Sequence, residues 1–317
     1  MQIKAGTTFI AIAAGDAHSL AIDSLGNLWA WGRNAAGQLG DGKSGMQNNR
    51  HTPALIKEGK TFVAVAAAGE HSLAIDSEGN LWAWGGNEYG QLGTGDATDR
   101  NTPTHIAKDK TFKHIAAGAW HSLAIDSGNN LRAWGRNNDW QLGDGTTTES
   151  SLPIQIADGT KFKAIAAGVS HNHALDLDGN LWAWGKGILG NGATSGSNIP
   201  VKIDLGETTF DFVSAGASIS FVQNAYTLAI DKEGNLWAWG YNSYGQLGDG
   251  TKQTRLSPVQ IQSETKFITV FAGSEHSHAV DERGNLWAWG DNSWGQLGDG
   301  TEGNNAGKLR PVQINRE

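Results

Sequence analysis

A histidine recurs along this chain at a regular spacing, which raises the question of metal binding. Five copies of one repeated phrase contain His at the same place, and the remaining copy has Tyr226 there. Imidazole is a common zinc ligand, with bonds of about 2 Å. Ligands on different repeats would lie too far apart to share one ion, and a phenol is a poor zinc ligand. We therefore predict that these histidines hydrogen-bond neighbouring backbone as part of the structural core: His18, His71, His121, His171 and His276.

Recurring aspartates and glycine-rich segments offer two further kinds of binding chemistry. Residues 176–180 resemble the start of a calcium loop, but the further acidic ligands and the closing Glu are missing. The Gly-Asp-Gly segments lack the Lys-Ser/Thr of a phosphate-binding loop, and there is no Gly-x-Ser-x-Gly elbow. The chain has no cysteine, which excludes thiolate chemistry. The sequence therefore predicts a protein that is not an enzyme and has no metal or cofactor.

The repeated phrase also indicates which elements carry these side chains. A Trp-Gly pair occurs six times, at intervals of 53, 50, 50, 55 and 50 residues. Each copy contains four short apolar runs, which in the first copy are residues 9–15, 18–23, 28–32 and 52–56. Runs of this length, bounded by Gly, Asp, Asn or Pro, are typical of strands. The sequence predicts an all-β propeller of six blades with four antiparallel strands each, a single domain over residues 1–317.

Tryptophans are expected to dominate the packing between blades. The Trp of each Trp-Gly pair is present in all six copies, whereas the Trp two residues earlier is Arg132 in the third copy. A fully buried Trp removes about 150–250 Å² from water, while an Arg stem can cover apolar surface near an edge. The predicted structural core therefore includes Trp31, Trp84, Trp134, Trp184, Trp239 and Trp289.

The repeat resembles that of a known family. Leu-Trp-Ala-Trp-Gly followed by Gly-Gln-Leu-Gly-Asp-Gly, a later Pro and His-Ser-Leu-Ala-Ile-Asp is similar to the regulator of chromosome condensation repeat, and the copies also resemble those of bacterial members. The resemblance covers essentially the whole chain and implies a propeller, usually of seven blades, that binds partners. The eukaryotic founder is a nucleotide exchange factor that also binds chromatin. It uses a wedge-like insertion and a basic tail that this sequence lacks, so the resemblance does not imply exchange activity.

The number of copies leaves the closure of the propeller open. A closed six-bladed ring, with one terminus supplying the last strand, avoids exposed sheet edges. The alternative is a six-repeat part of a seven-bladed array, because residues 1–6 and 312–317 both align with residues 259–264. In an open array, oligomerisation would cover the exposed blade faces. We expect the closed ring and a monomer.

Departures from the repeat indicate where a partner would bind. In each blade the first-to-second and third-to-fourth connections emerge on one side, which we call the loop face. An insertion in residues 216–226, a deletion of three residues in 185–192 and longer loops at 41–51 and 299–308 fall there. Variable loops and aromatic anchors on a rigid scaffold are typical of interfaces. The candidate partner-binding residues are Tyr89, Trp120, Trp140, Ile188, Ser218, Phe221, Tyr244 and Trp294.

Charge favours a protein or peptide as the partner. The 317 residues include 32 acidic and 24 basic side chains, and no run of Lys and Arg could follow a phosphate backbone, so we expect no nucleic acid. No stretch approaches the roughly 18–20 apolar residues that cross a bilayer, so we expect no membrane partner. The start has no signal peptide. The compartment, cytoplasmic or secreted, stays open.

Three alternative functions are compatible with the sequence. A lyase or hydrolase site in the central channel would need polar, non-repeating residues on the innermost strands, where His114 and Asp211 are the exceptions. A carbohydrate-binding propeller would use Trp120, Trp140 and Trp294 as stacking platforms. An amplified or constructed array without an evolved ligand would explain why residues 73–95 and 228–250 differ at only four of 23 positions.

Overall fold

Short antiparallel strands account for nearly all regular structure of this protein. The computed structural model describes residues 4–56, 59–218, 221–261, 264–303 and 305–314, and within them one turn of 3₁₀ helix is found, Met46–Asn48. The fold is a β-propeller of six blades, each a sheet of four antiparallel strands, which confirms the predicted fold class. The residues cluster into two compact units: residues 1–138 with 146–161, and residues 139–145 with 162–317. A single domain stays a prediction.

Unit 1 contains three blades whose strands pair in chain order. Blade 1 comprises β1 (Phe9–Ala14), β2 (His18–Asp23), β3 (Leu28–Gly32) and β4 (Arg50–Ile56). Blade 2 comprises β5 (Phe62–Ala68), β6 (His71–Asp76), β7 (Leu81–Gly85) and β8 (Arg100–Ile106). Blade 3 comprises β9 (Phe112–Ala117), β10 (His121–Asp126), β11 (Leu131–Gly135) and β12 (Ser150–Ile156).

Unit 2 contains the other three blades, together with the loop of residues 139–145. Blade 4 comprises β13 (Phe162–Ala167), β14 (His171–Asp176), β15 (Leu181–Gly185) and β16 (Ser197–Lys202). Blade 5 comprises β17 (Phe210–Ser218), β18 (Phe221–Asp231), β19 (Leu236–Gly240) and β20 (Arg255–Gln260). Blade 6 comprises β21 (Phe267–Ala272), β22 (His276–Asp281), β23 (Leu286–Gly290) and β24 (Lys308–Gln313).

An aspartate closes the turn between the second and third strands of each blade. In blade 1, Asp23 Oδ1 accepts the backbone N–H groups of Leu25 and Asn27 at 2.9 and 3.0 Å, and Oδ2 accepts the Trp29 indole N–H at 2.9 Å. Burial opposes ionisation, but hydrogen bonds from Asn27 and Trp29 outweigh it and lower the pKa of Asp23. The carboxylate therefore fixes both the turn and the indole.

Arg132, the one departure at the first Trp position, keeps this bond. Its Nε donates to Asp126 Oδ2 at 3.1 Å, as the indole does in the other five blades. Only 11% of the Arg132 side chain is exposed, so its stem covers apolar surface as well. This position therefore requires an N–H donor that reaches the turn aspartate, and the donor need not be aromatic.

One hydrogen-bonding arrangement joins successive blades within a unit. The Gln38 carbonyl oxygen of blade 1 accepts the Trp84 indole N–H at 2.9 Å and the Ser72 hydroxyl at 2.8 Å, both from blade 2. The Ser72 Oγ lies 3.0 Å from His18 Nε2. Because the hydroxyl gives its proton to Gln38, it accepts from the ring, and His18 carries its proton on Nε2. The histidine thus links two blades.

The same linkage recurs in both units with small variations. His71, Ser122, Gln91 and Trp134 repeat it between blades 2 and 3. In blade 5, Tyr226 replaces the histidine and its hydroxyl donates to the His276 carbonyl at 2.6 Å. Trp31 is the one partly exposed tryptophan among the six Trp-Gly pairs. The other five are 0% exposed: Trp84, Trp134, Trp184, Trp239 and Trp289.

Trp239, which packs against the shortened loop of the fourth copy, lacks this hydrogen bond. No described residue accepts its indole N–H. The extra histidine of blade 4, His173, fills the space edge-on at 5.3 Å between ring centroids, with Nε2 3.4 Å from the Leu189 carbonyl. His173 therefore packs between the Trp239 indole and the shortened loop.

We expect Trp239→Phe to cost about 1 kcal/mol less stability than Trp84→Phe, because only Trp84 loses a hydrogen bond. Both indoles are fully buried and lose the same volume, which makes the pair a matched comparison. Urea denaturation of the two variants measures the difference. Equal losses would contradict the assignment of a bond to Gln38.

Candidate functional site: the loop face

Three sequence positions meet on the loop face at the junctions between blades within a unit. One precedes the histidine of the second strand, one follows the Trp-Gly pair, and one lies two residues before the Gln of the third-to-fourth loop. In blade 3, the Arg136 N–H donates to the Trp120 carbonyl at 2.9 Å, which sets the first two side by side. The loop of blade 2 is held by Asn87 Oδ1, which accepts the Leu92 N–H at 2.9 Å. The three positions are thus fixed by backbone geometry.

In unit 1 these positions bring two predicted residues together around a third. The guanidinium of Arg136 lies 5.0 Å from the Trp120 ring centroid and 5.5 Å from that of Tyr89. Such cation–π contacts contribute about 0.5–2 kcal/mol each, depending on desolvation. All three side chains are partly exposed. We call Tyr89, Trp120 and Arg136 the arginine cluster.

Charged side chains occupy the junction before the arginine cluster. Arg33 of blade 1 and Glu70 of blade 2 form an ion pair, and their side chains are 40% and 41% exposed. An exposed pair of this kind adds little to stability. The pair therefore gives this part of the loop face two exposed charged side chains and contributes little to holding the blades together.

The loop face of unit 2 uses the same positions differently. Asp139 Oδ1 lies 2.8 Å from Lys186 Nζ, and Asp139 Oδ2 accepts the Ser170 hydroxyl at 3.3 Å. Further along, burial and the neighbouring Asp291 raise the pKa of Glu275. The negative charge of Glu275, followed by burial, raises the pKa of Tyr244. Equivalent positions thus carry different combinations of cations, aromatics and carboxylates from one junction to the next.

Trp140 occupies a backbone conformation that the other copies assign to glycine. Its φ is 64°, close to the 75° of Gly90 and the 79° of Gly245 at the equivalent position. A side chain in this left-handed region costs about 1–2 kcal/mol. Its indole is 36% exposed on the loop face. Strain of this kind at an exposed aromatic is typical of functional positions.

We expect Trp140→Gly to be more stable than Trp140→Ala by about 1 kcal/mol, the reverse of the usual order, because only glycine relieves the positive φ. Trp294 provides the control, since it is 88% exposed and has no positive φ. There Ala is expected to be at least as stable as Gly. Denaturant titration of the four variants compares them, and the same order at both positions would contradict the strain.

The remaining predicted residues do not form one cluster. Ring contacts within the described ranges do not join Trp140, Tyr244 and Trp294. Ile188 is partly buried in the shortened loop of blade 4. The inserted residues of blade 5 lengthen a hairpin, with nine residues in β17 and eleven in β18.

Two candidate side chains of the lengthened hairpin cannot be placed. The backbone of Ser218 pairs with that of Phe221. Their side chains lie outside the described part of the structure.

Sequence reasoning missed Arg136, Arg33 and Lys186. A signal was present, because the residue after the Trp-Gly pair reads Arg, Gly, Arg, Lys, Tyr and Asp in the six copies while its neighbours repeat. Aromatic residues drew attention to the loop face, but the charges between them were overlooked.

Metal and membrane signals were searched within the described residues. No group of three or more His, Cys, Asp or Glu side chains there is placed to hold a metal ion. None of the helical segments found there has the length and apolar character to cross a membrane. Asp211, one of the two polar exceptions on a first strand, forms an ion pair with Lys163 at 3.0 Å.

Profiles of known families match this chain along most of its length. The profile of the RCC1-like domain matches residues 1–222, and that of the regulator of chromosome condensation (RCC1) repeat matches residues 233–280 and 283–317. The chain belongs to the RCC1 family. This confirms the family that the repeated phrase indicated.

Individual known proteins resemble the chain to different extents. The ultraviolet-B receptor UVR8 of Arabidopsis thaliana is 33% identical over 284 residues, 87% of this chain and 52% of UVR8. The chain thus spans about half the length of that relative. Yeast RCC1 (Prp20), solved bound to Kap60, has a TM-score of 0.83 at 26% identity, covering 97% of this chain and 75% of Prp20. Human WBSCR16 shares the fold with a TM-score of 0.86 at 20% identity, covering 100% and 84%.

Proposed function

We propose that this RCC1-family propeller is a non-catalytic binding protein that recognises a protein or peptide through its loop face. The arginine cluster carries the proposal. Arg, Trp and Tyr are the residues most enriched among the energetically dominant positions of protein interfaces. Here Arg136 is held between two aromatic rings, and all three side chains reach solvent.

Two further observations support binding over catalysis. The loop-face positions that differ between copies are those that would contact a partner, whereas the linking histidines and serines are buried between blades. Among relatives, UVR8 is named as a receptor and Prp20 was solved in complex with Kap60. A rigid propeller with variable side chains on one face fits that role.

Site-specific photo-crosslinking tests the proposal. Benzoylphenylalanine replaces Tyr89, and the same group at Leu177 is the control, since Leu177 is 52% exposed in a turn on the opposite side of its blade. We expect protein adducts from position 89 and none from position 177. Adding Trp120→Ala to the first variant should remove the adducts, because the cluster loses an anchor. Adducts from position 177 alone would contradict the proposal.

A glycan array probed with the same protein examines the carbohydrate alternative. Trp140 and Trp294 are the exposed rings that would stack on a sugar, at 36% and 88% exposure. Glycan binding that is lost in Trp294→Ala and retained in Trp120→Ala would favour carbohydrate recognition over a protein partner.

A further inference from the structure

Each blade presents two different sides to its neighbours. One side, which we call the Trp face, carries the first-strand Phe, the serine-position residue of the second strand and the Trp of the Trp-Gly pair. The other, which we call the Leu face, carries the Leu of the third strand and alternate residues of the second. In unit 1 the Leu face of blade 1, with Leu20 and Leu28, packs on the Trp face of blade 2, with Phe62 and Trp84.

This contact recurs between the blades of each unit. Equivalent buried clusters join blades 2 and 3, blades 4 and 5, and blades 5 and 6. In each of these four contacts, the Leu face of one repeat is covered by the Trp face of the next repeat. The contact is apolar and close-packed around an indole, with hydrogen bonds at its edge.

The Trp face of blade 1 is uncovered by described residues. Ile12 is 72% exposed, whereas its equivalents Val213 and Val270 are 6% and 0% exposed and those of blades 2, 3 and 4 are partly buried. Phe9 and Trp31 are partly exposed, while the corresponding side chains of every other blade are nearly or fully buried. An apolar face of this kind usually marks an interaction site.

The Leu face of blade 6 is likewise uncovered by residues that the structure describes. Leu286 is 42% exposed, whereas Leu28 and Leu236 at the same position are 1% exposed. A Cβ built on Gly248 of blade 5 would lie 2.9 Å from the Trp289 indole of the next blade. At the equivalent Gly298 of blade 6, no described atom lies within 4 Å. No described indole lies next to Gly298 as that of Trp289 lies next to Gly248.

The hydrogen bonds that accompany the contact between blades are also incomplete at the Leu face of blade 6 and the Trp face of blade 1. The Gln246 carbonyl of blade 5 accepts both the Trp289 indole and the Ser277 hydroxyl, each at 2.8 Å. The Gln296 carbonyl of blade 6 receives no indole or serine hydroxyl from described residues and accepts instead from His278, the extra histidine of its own blade. Nor does the Trp31 indole donate to a described residue. The Trp31 indole is therefore a donor, and the Gln296 carbonyl keeps its second lone pair for one more hydrogen bond.

We propose that the Leu face of blade 6 binds the Trp face of blade 1 of a second copy of this chain, head to tail. The second copy is the occupant because this chain carries both complementary halves and already makes the same contact between its own repeats. Such an interface is heterologous, so each bound copy leaves one face available for another. Assembly is expected to grow with concentration beyond a dimer. The proposal is independent of partner binding at the loop face.

Sedimentation and light scattering across a hundredfold concentration range test the assembly. We expect the wild-type mass to rise to at least about twice the monomer value of 33.6 kDa. Leu286→Glu and Ile12→Glu each place a charge on one face at a side chain that is already exposed, so both variants should fold, and each alone should remain monomeric. Leu177→Glu, a substitution of another exposed leucine away from both faces, should assemble like wild type.

Mixing the two blocked variants gives the decisive measurement. Leu286→Glu keeps its Trp face and Ile12→Glu keeps its Leu face, so an equimolar mixture should form a one-to-one complex that does not grow further. A wild-type protein that stays at 33.6 kDa throughout would overturn the proposal. Assembly that persists in both single variants would also overturn it, because the contact would then lie elsewhere.

Discussion

Lowering the pH from 7 to 5 is expected to reduce the free energy of unfolding by about 5–6 kcal/mol, comparable with the whole stability of a small domain. The cause is the burial of neutral histidines between blades. Burial lowers the pKa of His18 and His276 to about 4 and that of His71 to about 3, from an ordinary value of 6.5. Each ring contributes about 2 kcal/mol of this loss at pH 5.

The sign follows from where the protons bind. Below pH 6.5 the unfolded chain protonates these rings, while the folded protein excludes the proton until about pH 4. Stability is therefore fully present above pH 7 and is lost as the pH falls from 6.5 toward 4. The turn aspartates act in a lower range, since their pKa values lie below the ordinary 3.8. The interval between pH 5 and 7 thus isolates the histidines.

Charged neighbours modify the effect without reversing it. After burial, repulsion from His121 and His18 lowers the pKa of His71 further. Next to His276, the positive charge of His278 acts in the same direction, and Asp291 partly opposes both.

Urea denaturation at pH 7 and pH 5, followed by tryptophan fluorescence, measures the loss. His71→Gln retains a side chain that reaches Ser122 and removes one titrating group, so about 2 kcal/mol of the pH dependence should disappear. An unchanged dependence in that variant would assign the effect to other groups.

Gly85→Ala is expected to destabilise the protein by more than about 3 kcal/mol, which places it among the most damaging single substitutions. Gly85 has a φ of 99°, a conformation that L side chains rarely adopt. An added Cβ would also overlap the Glu70 carbonyl oxygen and lie 3.0 Å from the His71 Cα. Both atoms belong to backbone of the paired strand, so they cannot move aside. The glycine of the Trp-Gly pair is therefore a steric requirement.

Gly206→Ala is the matched control for this prediction. Gly206 also has a positive φ, 63°, but a Cβ there meets nothing within 4 Å. Its cost should be the conformational one alone, about 1–2 kcal/mol. Thermal and urea denaturation of the two variants separate strain from overlap. Similar losses at both positions would show that the close approach at Gly85 contributes nothing.

The blades could be predicted because their signals are local. Alternating apolar runs, Asp and Gly in the turns and the fifty-residue period specify strands and hairpins without knowledge of distant contacts. The insertion in blade 5 shows the limit of this reasoning. It marked a departure from the repeat, yet the departure is a longer hairpin, because the added residues continue to pair as strands.

The candidate site was only partly accessible to the same reasoning. Tyr89 and Trp120 were identified from their types, but Arg136 was not, since a single Arg after Trp-Gly has no meaning until its neighbours are known. Trp140 was identified because it replaces a glycine, and the structure adds the reason that this matters, a φ of 64°.

The sequence by itself determined the family, the six repeats and the four strands of each, because these depend on residue periodicity within about fifty positions. The tertiary structure decided which side chains meet across blades. Arg136 reaches Tyr89 from 47 residues away in the chain, and the Trp84 indole finds its acceptor 46 residues away at Gln38. It also decided that Leu286 is exposed while its equivalents are buried, and that Ile12 is exposed while its equivalents are buried or partly buried. Repeats identical in sequence pattern differ in burial because burial depends on the neighbour that packs against them.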